Sequence, residues 1–254
     1  MSSMDDHTVT GRVVAVLDAV AAQADAMTLA ELTRATGIPK PTVRRIAADL
    51  VARRLLERRD DGFRLGSHLL DLGARAARHH GLRDVATPYV QELFARTGEV
   101  AWIAAATERS LTLVDSAFGT NRAQAVRQGE GTLEFSGPAL LMTAAGRVLL
   151  ADRPDLVEQL RPQSLPKATA RTTTSWPQLI AALAVARDTG TAIEHEQSRF
   201  GYSCIAAGIR DQEGSLVGVL GITGRIGSWA PERIARPLVA AAASIESSLK
   251  ALTP

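Results

Sequence analysis

Residues 28–65, TLAELTRATGIPKPTVRRIAADLVARRLLERRDDGFRL, decide how this chain is read. Thr28 followed three places later by Glu31 is a capping box. Hydroxyl and carboxylate each take one of the backbone N–H groups that a new helix leaves bare, so a helix is expected to open there. Leu29, Leu32 and Thr36 fall near one face of it. Gly37 supplies the positive φ of a tight helix exit. Ile38 and Pro39 fill a turn, and Pro41 suits the first turn of a second helix. Val43, Ile46, Ala47 and Leu50 recur at helical spacing and give that helix one apolar stripe. Arg44, Arg45 and Ala48 lie opposite, with Thr42 and Asp49 at the edge, so a helix docked through the stripe presents the arginines outward. Leu56–Arg59 and Phe63–Leu65 are strand-like runs separated by Asp60-Asp61-Gly62, with Asp-Gly as the expected hairpin turn. Helix, turn, helix and charged hairpin in this order are the plan of a winged helix-turn-helix, whose second helix enters the DNA major groove.

Charge follows the same plan. From Lys40 to Arg64 the bases are Lys40, Arg44, Arg45, Arg53, Arg54, Arg58, Arg59 and Arg64, and the acids are Asp49, Glu57, Asp60 and Asp61. Phosphate binding requires such a local excess, and it is local, because the whole chain carries a formal charge of only +2. The candidate DNA contacts are Thr28, Lys40, Thr42, Arg44 and Arg45 on the helices and Arg58, Arg59 and Arg64 on the wing, with double-stranded operator DNA as the expected partner.

The 254 residues, of which 46% are hydrophobic, are enough for one large or two modest domains. No apolar run reaches membrane-spanning length, and Asp5 and Asp6 do not suit a secretory signal. The single cysteine, Cys204, excludes an intrachain disulfide, and a cytoplasmic protein is expected. Residues 1–8 read as a disordered start. A helix from Val9 to Ala22, with Val13, Val16, Leu17 and Val20 on one side, completes a DNA-binding domain over 1–66. Residues 67–81 read as a linker helix with Leu69, Leu70, Leu72 and Ala76 inward, ended by Gly81 and able to pair with a second copy. Residues 82–254 form the second domain. There Val85, Tyr89 and Leu93 mark a helix closed by Gly98, and Val100–Ala106 pairs with Leu111–Ser116. Pro138–Ala151 reads as a helix. Ser175 and Gln178 form a capping box for a helix running to Gly190. Cys204–Arg210 and Leu216–Thr223 form a second hairpin, and Ile234, Leu238, Ile245 and Leu249 mark a last helix. Helices and hairpins alternating in this way give an α+β domain on an antiparallel sheet.

Over nearly its whole length the chain resembles an IclR-family transcriptional regulator. LAELTRATGIPKPTVRRIAADLVARRLLERRDDGFRLGSHLLDLG (29–73) matches the family's DNA-binding segment, and GRVLLA (146–151) its GKALLA segment. GTAIEHEQSRFGYSCIAAGIRDQEGSLVGVLGITG (190–224) matches its acidic loop, Cys-Ile-Ala-Ala strand, Asp-x-x-Gly turn and Ser-x-Ser-Gly strand end. The resemblance implies a GAF-like effector-binding domain and a homodimer or dimer of dimers on a palindromic operator, controlling a metabolic or catabolic operon. It also implies an effector pocket. Ala144, Ala145 and Gly146 stand at the family's small-residue loop, Glu194 at its acidic-loop carboxylate, Cys204 at its strand cysteine, and Gly221 and Thr223 at its paired serines.

Departures bear on the ligand. Thr33 stands where the family has Ala, Arg147 where it has Lys, Glu194-His195-Glu196-Gln197 where Asp-Asp-Glu-Glu is common, and Gly221 where a serine is common. Gly221 leaves space, and Trp102, Phe135 and Met142 offer apolar lining. An ionised Glu194 at the pocket mouth would repel an anion. An aromatic, or neutral or amine-bearing, effector is expected. Other readings are weaker. Cys204 sits in an apolar run without a partner base, so neither catalysis nor redox sensing is indicated. Glu194, His195 and Glu196 alternate sides and hold no metal. Gly218, Gly221 and Gly224 precede no phosphate-binding helix, so no cofactor is expected. His79-His80 serves the helix dipole. An enzyme acting through Cys204 or Glu194, or a DNA-binding oligomer without a ligand, are the alternatives.

Overall fold

The computed structural model describes residues 8–23, 25–79, 81–120, 136–161 and 165–252, with the backbone alone for 74–79. Two compact units result, Met1–His79 and His80–Pro254.

The first unit holds α1 (Val9–Ala21), α2 (Leu29–Thr36), α3 (Lys40–Ala52), β1 (Leu56–Arg59), β2 (Gly62–Leu65) and α4 (His68–His79). The capping box at Thr28 forms with both of its bonds, and Gly37 closes α2 at φ +67°. Val16, Val20, Leu32, Val43, Ile46, Ala47, Leu50, Leu56 and Phe63 make one core. Each fully buried aliphatic side chain there contributes roughly 1.5–3 kcal/mol from removal of its apolar surface from water. Thr33 bonds back to the Leu29 carbonyl at 2.7 Å, which satisfies its hydroxyl inside the helix. The wing differs from expectation at its tip. Arg59 pairs with Gly62, so Asp60-Asp61 is the two-residue turn. Gly62 is required for another reason, since a Cβ on it would stand 2.4 Å from the Met27 carbonyl oxygen. That close approach lets Met27 bridge Phe63 as a short third rung. Helix α4 also departs from expectation. Leu70 and Leu72 point to solvent, 76% and 46% exposed, because none of the described residues of the unit lies over them. The Ala76 and His79 side chains and His80 lie outside the described residues, as do residues 1–7.

The second unit is a three-layer α+β body. It comprises α5 (Leu82–Thr97), β3 (Val100–Ala106), β4 (Leu111–Ala117), a 3₁₀ turn (Gly137–Leu141), α6 (Ala144–Asp152) and α7 (Pro154–Gln159). There follow α8 (Trp176–Thr189), β5 (Thr191–His195), β6 (Tyr202–Arg210), β7 (Leu216–Arg225) and α9 (Pro231–Leu252). The sheet is antiparallel in the order β4-β3-β7-β6-β5. One face packs on α5 and α9 through Ala101, Ile103, Ile205, Leu220 and Ile222. The other packs on α6–α8 through Trp102, Ala104, Cys204, Ala206 and Val219. This is the period-two alternation of strands buried on both sides.

Three expectations need correction. The helix expected over Pro138–Ala151 is broken at Met142–Thr143. Thr143 is extended and caps α6 by accepting the Gly146 N–H at 3.0 Å, so a polar residue taken as interior is the start signal. Ser175 starts α8 without a side-chain cap bond, so no capping box forms with Gln178. Glu194 lies in a strand, β5, and not in a loop. Beyond the start of β5 the outer edge of β6 is met by side chains. Arg210 N–H donates to Glu246 Oε1 at 2.7 Å, and its guanidinium donates to Asp152 Oδ1 at 2.6 Å.

Candidate functional site

The DNA-facing candidates divide by what holds them. On α3 the stripe Val43-Ile46-Ala47-Leu50 is buried, which turns Lys40, Arg44 and Arg45 to solvent and leaves Thr42 half-buried. Among the described residues neither Arg44 nor Arg45 has a salt-bridge partner, so both guanidinium groups keep all their donors. The wing arginines are exposed but occupied. Arg59 pairs with Glu57 at 2.8 Å, Arg64 with Asp61 at 3.1 Å, and Arg58 lies over the Phe63 ring at 5.9 Å. Such exposed pairs are weak and can be exchanged for phosphate. Thr28 is committed to its cap. It donates to Glu31 Oε2 at 2.7 Å and accepts the Glu31 N–H at 3.3 Å. The Thr28 backbone N–H also donates to Glu31 Oε2 at 2.8 Å, and this bond, then that of the Thr28 hydroxyl, holds the exposed Glu31 carboxyl below its usual range.

In the second unit the strand register sets Glu194, Cys204 and Thr223 directly opposite one another across β5, β6 and β7. The next row on the same face is Ala192, Ala206, Gly221 and Trp102. Ala144 and Ala145, at the start of α6, are fully buried in one cluster with Trp102 and Cys204. Trp102, Glu194, Cys204, Gly221 and Thr223 therefore lie on one sheet face, with Ala144 and Ala145 of α6 packed in the same cluster as Trp102 and Cys204. Gly146 turns aside, because a Cβ there would stand 2.2 Å from the Leu140 carbonyl oxygen. Met142 is half-buried at the end of the 3₁₀ turn. Phe135 lies outside the described residues.

Polar atoms of the row are consumed internally. Trp102 Nε1 donates to Thr223 Oγ1 at 3.0 Å, and that hydroxyl donates to Cys204 Sγ at 3.3 Å. Burial, then the nearby Glu194, push the Cys204 thiol far up, so it stays protonated and inert. Two expectations fall here. The space expected above Gly221 is filled by the Trp102 indole, whose Cζ2 would be 2.2 Å from a Cβ at that position. And Glu194 is not at a mouth but buried, accepting from Gln197 N–H at 2.7 Å and Ser198 Oγ at 2.8 Å.

The residue that sequence reasoning passed over is Arg147. It was weighed only as Arg for Lys, yet it is 3% exposed and donates to the Ile193 carbonyl at 3.5 Å and to the Gln197 side-chain oxygen. Gln197 also accepts from Thr173 Oγ1 at 2.9 Å. Burial raises the Glu194 pKa, against its hydrogen bonds and Arg147, and lowers that of Arg147, against Glu194. Desolvation outweighs their attraction. With Arg147 beside it, Glu194 no longer argues against an anionic effector. The sequence signal was a cation inside the apolar run of α6, a position where burial demands a counter-charge. Neighbouring His195 faces outward, its Nε2 3.0 Å from Glu232 Oε1. Gly218 and Gly224 serve close packing, a Cβ meeting Leu82 Cδ2 at 2.9 Å in one case and Glu99 Cδ at 2.6 Å in the other. A separate cleft of about 170 Å³ opens where α8 meets β6 and α9, and none of the expected effector residues among those described lines it.

A winged helix-turn-helix followed by an α+β unit with a buried polar row is the build of a ligand-responsive, DNA-binding transcriptional regulator. Comparison with known proteins gives the same class. Residues 9–60 match the IclR helix-turn-helix domain and residues 74–247 the C-terminal domain of IclR bacterial transcriptional regulators, so the chain belongs to the IclR family. It is 26% identical over 223 residues to the glycerol operon regulatory protein of Streptomyces griseus, covering 87% of this chain and 86% of that one. Over 172 residues it is 30% identical to the transcriptional regulator KdgR of Escherichia coli, 66% of this chain and 62% of the relative. Among solved structures it is similar to an IclR homolog from Microbacterium hydrocarbonoxydans complexed with 4-hydroxybenzoate, with a TM-score of 0.74 and 26% identity over 96% of this chain and 100% of that one. The fold is shared with an IclR-family regulator from Brucella abortus at a TM-score of 0.74 and 21% identity, over 100% of this chain and 96% of the other.

Proposed function

We propose that this regulator is a repressor that reads its operator with Arg44 and Arg45 of α3 and releases it when an effector occupies the α6-facing side of its sheet. The observation that carries the DNA reading is the pair of exposed, unpaired guanidinium groups opposite a fully buried stripe. Arg suits bidentate contact with guanine and also grips phosphate. Lys40 and Thr42 flank them at the helix start, Thr28 holds α2 in place, and Arg58, Arg59 and Arg64 position the wing along the backbone. The effector contacts are Ala144, Ala145, Glu194, Cys204 and Thr223, with Trp102 and Gly221 as the wall and Met142 beside it. The exposed Leu70 and Leu72 of α4 join two copies into the dimer that a palindromic site requires. Residues 1–66, 67–81 and 82–254 act as reader, connector and sensor, and the second unit performs no catalysis.

The test uses a duplex selected by the full chain from random-sequence DNA. The double substitution Arg44→Ala/Arg45→Ala is expected to bind it no better than an unrelated duplex of the same length. Retained preference with unchanged salt dependence places the reading elsewhere.

A further inference from the structure

Trp102 and Gly221 are cross-strand partners on β3 and β7. A Cβ on residue 221 would lie 2.2, 2.5 and 2.7 Å from Cζ2, Cη2 and Cε2 of the indole, so the ring rests flat on the glycine backbone. No larger residue at 221 permits this, and the sequence departs from the family's serine at that place. The indole is also bonded in position. Its Nε1 donates to Thr223 Oγ1, which spends its only proton on Cys204 Sγ. Trp102 is 1% exposed and packed among Leu140, Leu141, Ala144 and Cys204. Swinging it away would leave an indole N–H and a threonine oxygen without these partners in a dry interior, which is costly. The ring is therefore a fixed part of the wall.

We propose that Trp102 sets the specificity of the effector site: its indole permanently occupies the ring-sized space above Gly221, so the site rejects ligands built on a six-membered ring. This rests on the effector-site reading given above. It also explains why Gly221 does not widen the site, since the volume surrendered at 221 is taken by the residue facing it.

The experiment titrates 4-hydroxybenzoate into the full-length wild type, Trp102→Ala and Trp102→Leu by calorimetry, with near-ultraviolet circular dichroism to establish folding. An apolar hole the size of a ring takes up a ring, so Trp102→Ala is expected to bind roughly tenfold or more tighter than wild type. Trp102→Leu should fall between the two, and in both variants the ligand should lower affinity for the selected duplex. Wild-type binding as tight as that of folded Trp102→Ala or Trp102→Leu overturns the proposal, as does a folded variant that gains nothing. A second arm needs no ligand. Gly221→Ala should lower the melting temperature sharply in wild type and far less beside Trp102→Leu, and equal losses in both backgrounds overturn the geometry. Cys204→Leu separates this inference from the site reading. If wild type binds and Cys204→Leu abolishes binding, the site stands and only the role of Trp102 fails. If Trp102→Ala binds and Cys204→Leu in that background changes nothing, the site itself is elsewhere.

Discussion

Arg44 and Arg147 are the same residue type in opposite circumstances, and the contrast separates the two surfaces proposed to bind DNA and effector. Arg44 and its neighbour Arg45 stand in water on α3 with no salt-bridge partner among the described residues. Arg147 is a buried residue of α6 that donates to Gln197 and a strand carbonyl, feels the charge of Glu194, and keeps its Nε without a partner among the described residues. A guanidinium in water costs little to leave open, so a surface meant for DNA can keep its donors uncommitted. A buried one must be matched from within. The proposed reading surface thus holds its donors uncommitted in water, whereas on the proposed effector face most polar atoms are bonded within the protein, and an effector there would compete with those bonds.

The largest effect should come from breaking the buried side. Arg147→Ala leaves Glu194 without its opposing charge and is expected to cost about 3–5 kcal/mol of second-unit stability. Denaturant unfolding followed by tryptophan fluorescence reads this unit alone, because Trp102, Trp176 and Trp229 all lie within it. Arg147→Leu combined with Glu194→Gln should recover most of the loss, and a double variant as unstable as the single one would show that the pair is not coupled.

Next come the exposed arginines taken singly. Arg44→Ala or Arg45→Ala should weaken selected-site binding by about 1–3 kcal/mol and relax one operator position if the residue reads a base. Melting should barely change, and a large melting shift would erase the distinction drawn between the two arginines. Smaller again, neutralising Arg58, Arg59 or Arg64 should weaken specific and random duplexes alike and reduce the salt slope by about one unit. A changed base preference at constant salt slope would count against a backbone role.

The smallest effect concerns pH. Burial raises the Glu194 pKa in the folded protein, so its contribution to stability is present below the ordinary carboxylate range and is lost as pH rises through the raised value. Glu194→Gln should flatten that decline, which urea midpoints across a pH series will show. Identical profiles for the two proteins would mean that the carboxyl titrates as it does in the unfolded chain.

The legibility of the two surfaces differs for the same reason. On α3, a stripe with period near four and arginines opposite it announce both the fold and the outward face, and the capping box at Thr28 fixes where the domain's second helix begins. In the second unit the hairpins β3-β4 and β6-β7 are legible in the pattern, and the resemblance singles out Glu194, Cys204 and Thr223, but not the strand β5 that sets Glu194 opposite Cys204. What fills the face is not legible either. The indole over Gly221 depends on a cross-strand register between residues more than a hundred positions apart in the chain, and Arg147 becomes meaningful only once β5 is seen to lie beneath it. The break at Thr143 and the exposure of Leu70 and Leu72 were hidden likewise, because local pattern fixes periodicity and not what stands opposite.

A sheet whose border is uncovered offers its backbone as a template on which a foreign chain can add a strand. At the border of β6 the free amide of Arg210 is already taken by the Glu246 carboxylate, and Asp152 secures the side chain. One acid on a distant helix thus occupies the backbone donor that an added strand would need there.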